Sequence, residues 1–249
     1  MAIYTGIADA NGDFSVPFSS TYTGGQKITV TAEKDNATKS IEIFAPSDPI
    51  ATGAFIEFSG TAVNFPMNIG DVTLSGMPAT IASYAFSGTV FNSTTYTMWA
   101  RATGLTIPEG VVTISEGSFY YWIAMTELNL PQSLKSIGAS AFDASRKLVN
   151  IVIPDSVISI GVDSFNAQTS DTSTKNITIG SSVTSIGARA FNARTGLVDV
   201  VLKPTTPPTL SNSNAFPAGT YQIKVPAASL AAYQTAPNWS VHASKMVGY

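Results

Sequence analysis

The chain has 249 residues, of which only 12% are charged, about half of the roughly 25% that soluble domains usually carry. Its formal net charge is −3 and it contains no run of Lys or Arg, which argues against nucleic-acid binding, because a nucleic-acid groove needs clustered cations to displace counterions. Cysteine is absent, which excludes disulfides and thiolate metal sites, and no apolar run approaches the roughly 20 residues that a membrane-spanning helix needs.

The N-terminal segment reads as β-hairpins. Residues 3–45 contain the alternating runs FSVPF, KITVTAE and KSIEIFA, separated by the turn signals ANGD, TGGQ and KDNA. This pattern resembles the second half of bacterial immunoglobulin-like modules, which often read G-x-A-D-A-N-G-x-F and then x-V-T-A. A full sandwich of that kind needs about 100 residues, so the resemblance implies a small Ig-like β module over residues 1–47 that serves attachment or oligomerisation.

A linker and cap strands are predicted over residues 48–75. The stretch APSDP is rich in turn formers, and AFIEF, AVNF and DVTL behind it have the composition of strands. These strands are expected to cover the N-terminal end of the repeats that follow. The first residues of the chain, MAIYTGIADANGDF, show neither a basic start nor an apolar core, so no secretion signal is expected.

One fifteen-residue phrase then occurs four times. The copies at 105–119, 128–142, 151–165 and 177–191 read LTIPEGVVTISEGSF, LNLPQSLKSIGASAF, IVIPDSVISIGVDSF and ITIGSSVTSIGARAF, and their final phenylalanines are spaced 23, 23 and 26 residues apart. A degenerate copy ends at Phe216, and an upstream copy, MPATIASYAF, ends at Phe86. A period in the low twenties is typical of leucine-rich repeats.

Each copy has the pattern of one coil of a solenoid. Its first part, for example Leu148, Ile151 and Ile153, alternates like a short strand with one buried face. A proline ends most of these strands, a second apolar pair returns the chain to the core, and the glycines at 138, 161 and 187 suit a positive φ or a close backbone approach. The phenylalanine fills the inside of the coil, and only stacking of several coils buries these apolar faces.

The repeated columns closely resemble leucine-rich repeats of the BspA-like type, whose units read roughly L-x-x-I-x-I-P-x-S-V-x-x-I-G-x-x-A-F. The resemblance covers roughly residues 72–249, and it implies a mainly β fold with short helices and turns, in which a leucine-rich-repeat solenoid follows the small Ig-like module. The repeats are predicted over 76–218, with an unusually long connection at 87–104. Residues 219–249 resemble the closing cap of the family, in which a short strand, here IKVP, leads into an Ala-rich helix.

No catalytic, cofactor or metal site is predicted. The chain lacks the glycine-rich phosphate-binding patterns and the G-x-S-x-G pattern, and no pair of carboxylates suits glycan hydrolysis. The single histidine, His242, falls in the cap, where a capping or surface role is expected. Asp155 aligns with Gln132 and Ser181 in other copies, so its column is not the acidic column that calcium would need. The protein is therefore expected not to be an enzyme.

Aromatic residues form the first candidate binding site. Tyr120, Tyr121 and Trp122 stand where the next copies carry Asp-Ala-Ser and Asn-Ala-Gln, and positions that are polar in sister repeats should be exposed. Together with Tyr96 and Trp99 of the long connection, they are predicted to form a platform that stacks on sugars or peptide. The alternative is that these rings fill space beneath that connection.

The outward-facing side chains of the repeat strands form the second candidate site, because repeat proteins commonly bind partners on such an extended sheet. Val149, Val152, Asp199 and Val201 belong to this face by alignment. The residues predicted to contact a ligand there are Thr126, Glu127, Asn129, Asn150, Lys175, Asn176 and Thr178.

These features predict a non-enzymatic adhesion or receptor-binding protein of a bacteriophage virion. Both kinds of module are found in phage tail and fibre proteins, so the resemblance implies a tail, fibre or surface-decoration protein that is made in the host cytoplasm. The expected partners are a host-surface protein or glycan, other virion proteins bound through the N-terminal module, and further copies of the chain in a trimer. Neither nucleic-acid binding nor membrane insertion is expected. The alternatives are a bacterial cell-surface adhesin and, second, a glycan-acting enzyme.

Overall fold

The structure is a computed structural model that describes residues 14–17, 27–34, 37–44, 55–58, 70–88 and 98–249. Within these residues the α-helix α1 spans Leu230–Thr235, short 3-10 helices span Met98–Arg101, Ser213–Ala215, Ala227–Ser229 and Ser240–Lys245, and no helix is long and apolar enough to cross a membrane. The strands, in chain order, are β1 Phe14–Pro17, β2 Lys27–Lys34, β3 Ala37–Phe44, β4 Phe55–Phe58, β5 Asp71–Ser75, β6 Thr80–Ile81, β7 Gly104–Thr106, β8 Thr113–Ile114, β9 Glu127–Asn129, β10 Ser136–Ile137, β11 Asn150–Val152, β12 Ser159–Ile160, β13 Asn176–Ile179, β14 Ser185–Ile186, β15 Asp199–Leu202, β16 Thr209–Leu210, β17 Gln222–Val225 and β18 Met246–Gly248.

From β5 onward the chain coils into a solenoid with a sheet on each side. Strands β5, β7 and β9, followed by β11, β13, β15, β17 and β18, form one row of parallel strands, which we call the main sheet. The row is interrupted between β9 and β11, where the N–H of Val149 still donates to the carbonyl of Thr126 at 3.3 Å. The two-residue strands β6, β8, β10, β12, β14 and β16 form the second sheet.

The strand register stacks equivalent repeat positions on each other. Ile151 of β11 pairs with Ile177 of β13, and that residue pairs with Val200 of β15. In the second sheet Ile137 pairs with Ile160 in the same way. All five side chains are buried, so each rung covers the apolar face of the next, and the predicted mainly β repeat solenoid is confirmed.

A column of phenylalanine rings runs through the interior. Consecutive rings are stacked with centroids 5.0–5.5 Å apart and planes 3–16° apart, and each ring is at most 2% exposed. This spacing follows the spacing of neighbouring strands, about 4.8 Å. The column comprises Phe86, Phe119, Phe142, Phe165, Phe191 and Phe216.

The repeated glycine is needed for close approach between rungs. A Cβ on Gly161 would lie 2.5 Å from backbone atoms of Gly138 and Ala139 in the preceding rung, a contact that only glycine avoids. The positive φ of the turn occurs two residues later, at Ser140, Asp163 and Arg189, where φ is 51°, 55° and 54°. Of the two predicted reasons for this glycine, close approach is therefore the one that applies.

The N-terminal strands extend the main sheet in the antiparallel sense. β4 pairs with β5, and β1 pairs with β4. β2 and β3 form a separate antiparallel pair, from Lys27 with Phe44 to Lys34 with Ala37. The predicted runs FSVPF, KITVTAE, KSIEIFA, AFIEF and DVTL coincide with strands, whereas AVNF lies outside the described residues. The immunoglobulin-like nature of residues 1–47 and the division into domains stay predictions.

The C-terminal segment covers the last rung. The ring of Trp239 lies 5.6 Å from that of Phe216 and its Nε1 donates to the carbonyl of Pro208 at 2.7 Å. The hydroxyl of Tyr233, on α1, donates to the carbonyl of Pro204 at 2.9 Å. Beyond α1 the chain returns as β18, which pairs in parallel with β17. His242 is buried here, with Nε2 3.0 Å from the carbonyl oxygen of Ser213, and burial lowers its pKa.

Candidate functional site

The solvent face of the main sheet carries the second predicted set of side chains. In each strand the central apolar residue points inward, and its two neighbours point outward because side chains of a strand alternate between its faces. Their part in ligand binding stays a prediction. The alternation of the strands accounts for the placement of five of them, whereas Thr126 and Lys175 lie immediately before β9 and β13 and are exposed there. Thr126, Glu127, Asn129, Asn150, Lys175 and Asn176 are exposed, and Thr178 is half-buried.

Hydrogen bonds between rungs fix several of these side chains. The amide of Asn176 donates to the amide oxygen of Asn150 at 2.9 Å, on the neighbouring strand. The amide of Asn129 donates to the hydroxyl of Thr106 at 3.3 Å and to the carboxylate of Glu127 at 3.2 Å. A ligand that binds here therefore meets side chains that are already held in place, which lowers the conformational entropy that binding costs.

Exposed valines lie among these polar side chains. Val149 lies immediately before β11 and is 45% exposed, and Val152 lies at the end of β11 and is 57% exposed. Val198 lies immediately before β15 and is 56% exposed. Strand β13, with Lys175 beside it, separates the two groups of valines. The first two valines were predicted from the repeat alignment to face outward. Val198 was not, although it stands before β15 as Val149 stands before β11. The face thus combines apolar groups with hydrogen-bonding groups, as protein-binding surfaces do.

Trp99 and Trp122 are not part of an exposed platform, and the prediction was wrong for both. They are 7% and 0% exposed, and their rings stack with centroids 5.9 Å apart. Nε1 of Trp122 donates to the carbonyl of Phe86 at 2.6 Å. The error arose because Trp122 aligns with Ser145, a polar residue that is also buried. This column faces the interior in both rungs, so polarity in a sister repeat did not indicate exposure.

Tyr120 and Tyr121 are half-buried and form a cluster with Tyr84, which the sequence analysis did not single out. The rings of Tyr84 and Tyr120 meet edge to face with centroids 6.4 Å apart, and those of Tyr120 and Tyr121 are 4.5 Å apart. A Cβ on Gly117 would come within 2.3 Å of the Tyr84 ring. Glycine at this position therefore makes room for the ring. Tyr96, the remaining member of the predicted platform, lies outside the described residues.

A polar network borders this tyrosine cluster. The hydroxyl of Tyr121 donates to Oε1 of Gln168 at 2.7 Å, and Nε2 of Gln168 donates to Oδ2 of Asp143 at 2.8 Å. The pKa of Asp143 is raised to about 6, chiefly by burial and also by the nearby charge of Asp163, against the lowering effect of the Gln168 hydrogen bond. Oδ1 of Asp143 is buried and accepts no hydrogen bond from the described residues. The network therefore gains a proton in mildly acidic solution.

A shallow groove of about 820 Å³ lies at the C-terminal end of the main sheet. Its walls include Asp199 of β15, Lys224 of β17 and Lys245, just before β18. Nζ of Lys224 lies 2.8 Å from Oδ2 of Asp199. Nothing in the cap sequence indicated this groove, because it forms only where MVG adds a parallel strand beside QIKV.

The described ranges contain no group of three His, Asp or Glu side chains that could hold a metal ion.

Comparison with known proteins agrees with this geometry. Residues 81–216, more than half of the chain, match in six copies the family described as the BspA type leucine rich repeat region. The six rings of the phenylalanine column, from Phe86 to Phe216, correspond in number to the six copies. No curated protein matches the chain.

Proposed function

Because the chain belongs to the BspA-type leucine-rich repeat family, we propose that it is a non-enzymatic receptor-binding protein of a bacteriophage virion. Repeats of this family imply a protein-interaction or adhesion-type domain. In this proposal the repeats recognise a protein or a glycan on the host surface, and residues 1–47 join the protein to other virion proteins or to two further copies in a trimer.

The observation that carries the binding role is the solvent face of the main sheet. Val152 and Val198 expose more than half of their surface there, next to asparagines that are hydrogen-bonded across the strands. When a partner covers the exposed valines, the complex is stabilised by about 25 cal/mol per Å² of apolar area that is buried. Amide groups that are already oriented give such a contact specificity, because a wrong partner leaves them unpaired.

The composition supports the virion location. Charged residues are only 12% of the chain, and serine, threonine and asparagine supply much of its polar surface. A surface of this kind hydrogen-bonds to receptors while carrying little net charge, which suits a protein that works outside the cell. The resemblance of the N-terminal segment to modules of phage tail and fibre proteins supports the same assignment.

Immunogold electron microscopy tests the proposal. An antibody raised against the full chain should label purified virions at their tails, fibres or capsid surface, and purified protein should reduce adsorption of the phage to its host. Label on the surface of uninfected bacteria, with none on virions, would contradict the virion location and support the cell-surface adhesin. Purified protein that neither binds cells nor reduces adsorption would contradict the receptor-binding role.

A further inference from the structure

The groove at the C-terminal end of the main sheet has the features of a ligand site. It continues the solvent face at β15, β17 and β18, and its volume of about 820 Å³ is in the range of small-molecule sites. Val198 and Val247 give it apolar walls. Asp199 pairs with Gln222 in the sheet register, and Gln222 flanks Lys245 because the next pair along the strands is Ile223 with Met246.

Lys245 supplies a cation at a fixed place in the groove. Its Nζ lies 4.1 Å from the centroid of the Tyr221 ring, a cation–π contact that holds the ammonium over the ring face. The ring itself is 8% exposed, and the hydroxyl of Tyr221 donates to the carbonyl of Pro217 at 2.9 Å. The ring of Tyr221, against which the ammonium lies, is therefore held in place.

The charge of Lys245 is not balanced within the groove. Lys224 forms an ion pair with Asp199, whereas no carboxylate among the described residues lies within ion-pair distance of Lys245. Partial burial lowers the pKa of Lys245, which means that its charged form has lost part of its hydration. An anionic ligand would restore favourable electrostatic interactions to this ammonium, so the groove favours a carboxylate.

The other groups of the groove suit hydroxyls. Thr220, Gln222 and Ser244 line it and are exposed, and each of these neutral side chains can both donate and accept a hydrogen bond. A sugar hydroxyl has the same double capacity. The exposed parts of Val198 and Val247 can cover the C–H groups of a sugar ring.

We propose that this groove binds a sugar unit that carries a carboxylate, such as a uronic or sialic acid of a surface glycan. The carboxylate lies against Lys245, and the ring hydroxyls bond to Gln222, Thr220 and Ser244. The Lys224–Asp199 pair borders the site, and the carboxylate of Asp199 disfavours a sugar bound in the opposite orientation. This inference rests on the proposed recognition role of the sheet face and does not depend on the virion location.

Titration of the ¹⁵N-labelled full chain tests the site, with glucuronate, N-acetylneuraminate and glucose as probes. At least one acidic sugar should give saturable shifts in the amides of residues 198–199, 219–224 and 244–247, with an affinity at least about tenfold above that of glucose. Lys245→Gln should weaken acidic-sugar binding about tenfold, and Lys245→Arg should keep it within about threefold, because the charge remains. Lys135→Gln is the matched control, since it removes the same charge from an exposed residue beside the second sheet, and it should leave binding unchanged.

Three results would overturn the site. They are shifts that do not saturate, equal affinity for glucose and the acidic sugars, and acidic-sugar binding that Lys245→Gln leaves intact while its melting temperature matches the parent. Stronger binding of a tri-aspartate peptide than of either acidic sugar would overturn the sugar assignment. If these titrations fail while the protein still binds host cells, the groove proposal alone is wrong. If they succeed while the protein binds no cells, the receptor-binding role is wrong and the groove proposal stands.

Discussion

Asp171 and Arg194 form an ion pair inside the solenoid, with Nη1 of the arginine 2.8 Å from Oδ2 of the aspartate and both side chains at most 2% exposed. Nε of Arg194 donates to the carbonyl of Phe165, and Nη1 also donates to the carbonyl of Ser145 and the hydroxyl of Thr174. Burial lowers the pKa of Arg194 to about 10, so the guanidinium is still charged at neutral pH. Through these contacts Arg194 connects three successive rungs, at the place where the repeat is 26 residues long.

Replacing Asp171 by Ala should lower the free energy of unfolding by about 3–5 kcal/mol, because it leaves a buried guanidinium without its counter-charge. Urea unfolding of the two proteins measures the difference. Asp155→Ala is the control: it removes an exposed pair with Lys203, 3.1 Å long, and should change stability by less than about 1 kcal/mol. Equal losses in both variants would contradict a special role of the interior pair.

Trp122→Ala should lower the free energy of unfolding by about 3–5 kcal/mol, because it opens a large cavity beside Trp99 and Phe119. Tyr121→Ala, which truncates a half-buried ring two positions from the phenylalanine column, should cost about 1 kcal/mol. Thermal or urea unfolding compares the two. A Trp122→Ala protein with parental stability would show that this ring is not part of the core.

Asp143 should make the protein less stable as the pH rises from about 4 to about 6. Its pKa is higher in the folded protein than the ordinary value of 3.8, so folding favours the protonated form, and this contribution is present at low pH and is lost above about 6. Asp143→Asn should remove this slope and raise the free energy of unfolding at pH 7 by about 2 kcal/mol. Urea unfolding at pH 4, 5, 6 and 7 measures it.

Asp155 supplies the contrast for that experiment. The N–H of Ser181 and the ammonium of Lys203 hold the pKa of Asp155 below its usual value, so its contribution is present at neutral pH and is lost as the pH falls. Asp155→Asn should therefore leave the slope between pH 4 and pH 6 unreduced. If Asp143→Asn leaves the slope unchanged as well, the carboxyl is not the group that titrates.

Val152→Asp should reduce binding of the protein to host cells at least about tenfold, because a carboxylate at the centre of the main-sheet face must be desolvated when a partner covers it. The side chain is 57% exposed, so the melting temperature should change little. Val241→Asp is the matched control, since Val241 is 63% exposed on the cap, and it should bind as the parent does. Unimpaired binding of Val152→Asp would place the receptor contact elsewhere.

The repeat columns allowed most of the solenoid to be predicted from sequence. Equivalents of Ile151, Ile160 and Phe165 recur at fixed offsets in several copies. Apolar side chains that recur in this way can be buried only if the copies stack on each other. The prediction failed for Trp122 because a column can face the interior and still carry polar residues. Serine, as at position 145, is small enough to fit in this column. Arg194 fits because it is paired with Asp171, which lies in the longer connection of the 26-residue repeat.

The candidate sites could be predicted only where they follow the repeat. Asn150 and Asn176 occupy the same position in successive strands, so their common face was visible in the alignment. Lys245 comes to lie beside Gln222 only because the chain makes a helix and returns as a further parallel strand. Tyr84 and Gln168 are far apart in sequence, and both contact Tyr120 from different rungs, which no periodicity indicates.

The phenylalanine column makes the rungs equivalent in their ring contacts. Each ring from Phe119 to Phe191 contacts a similar ring above and below, at nearly the same distance and angle. Loss of residues 143–165 would bring Phe142 against Phe191 with the same ring contact, and a duplication would insert one more equivalent ring. The length of the molecule can therefore change in whole-rung steps during evolution while both caps stay the same, and the outward-facing residues can diversify independently of the stack.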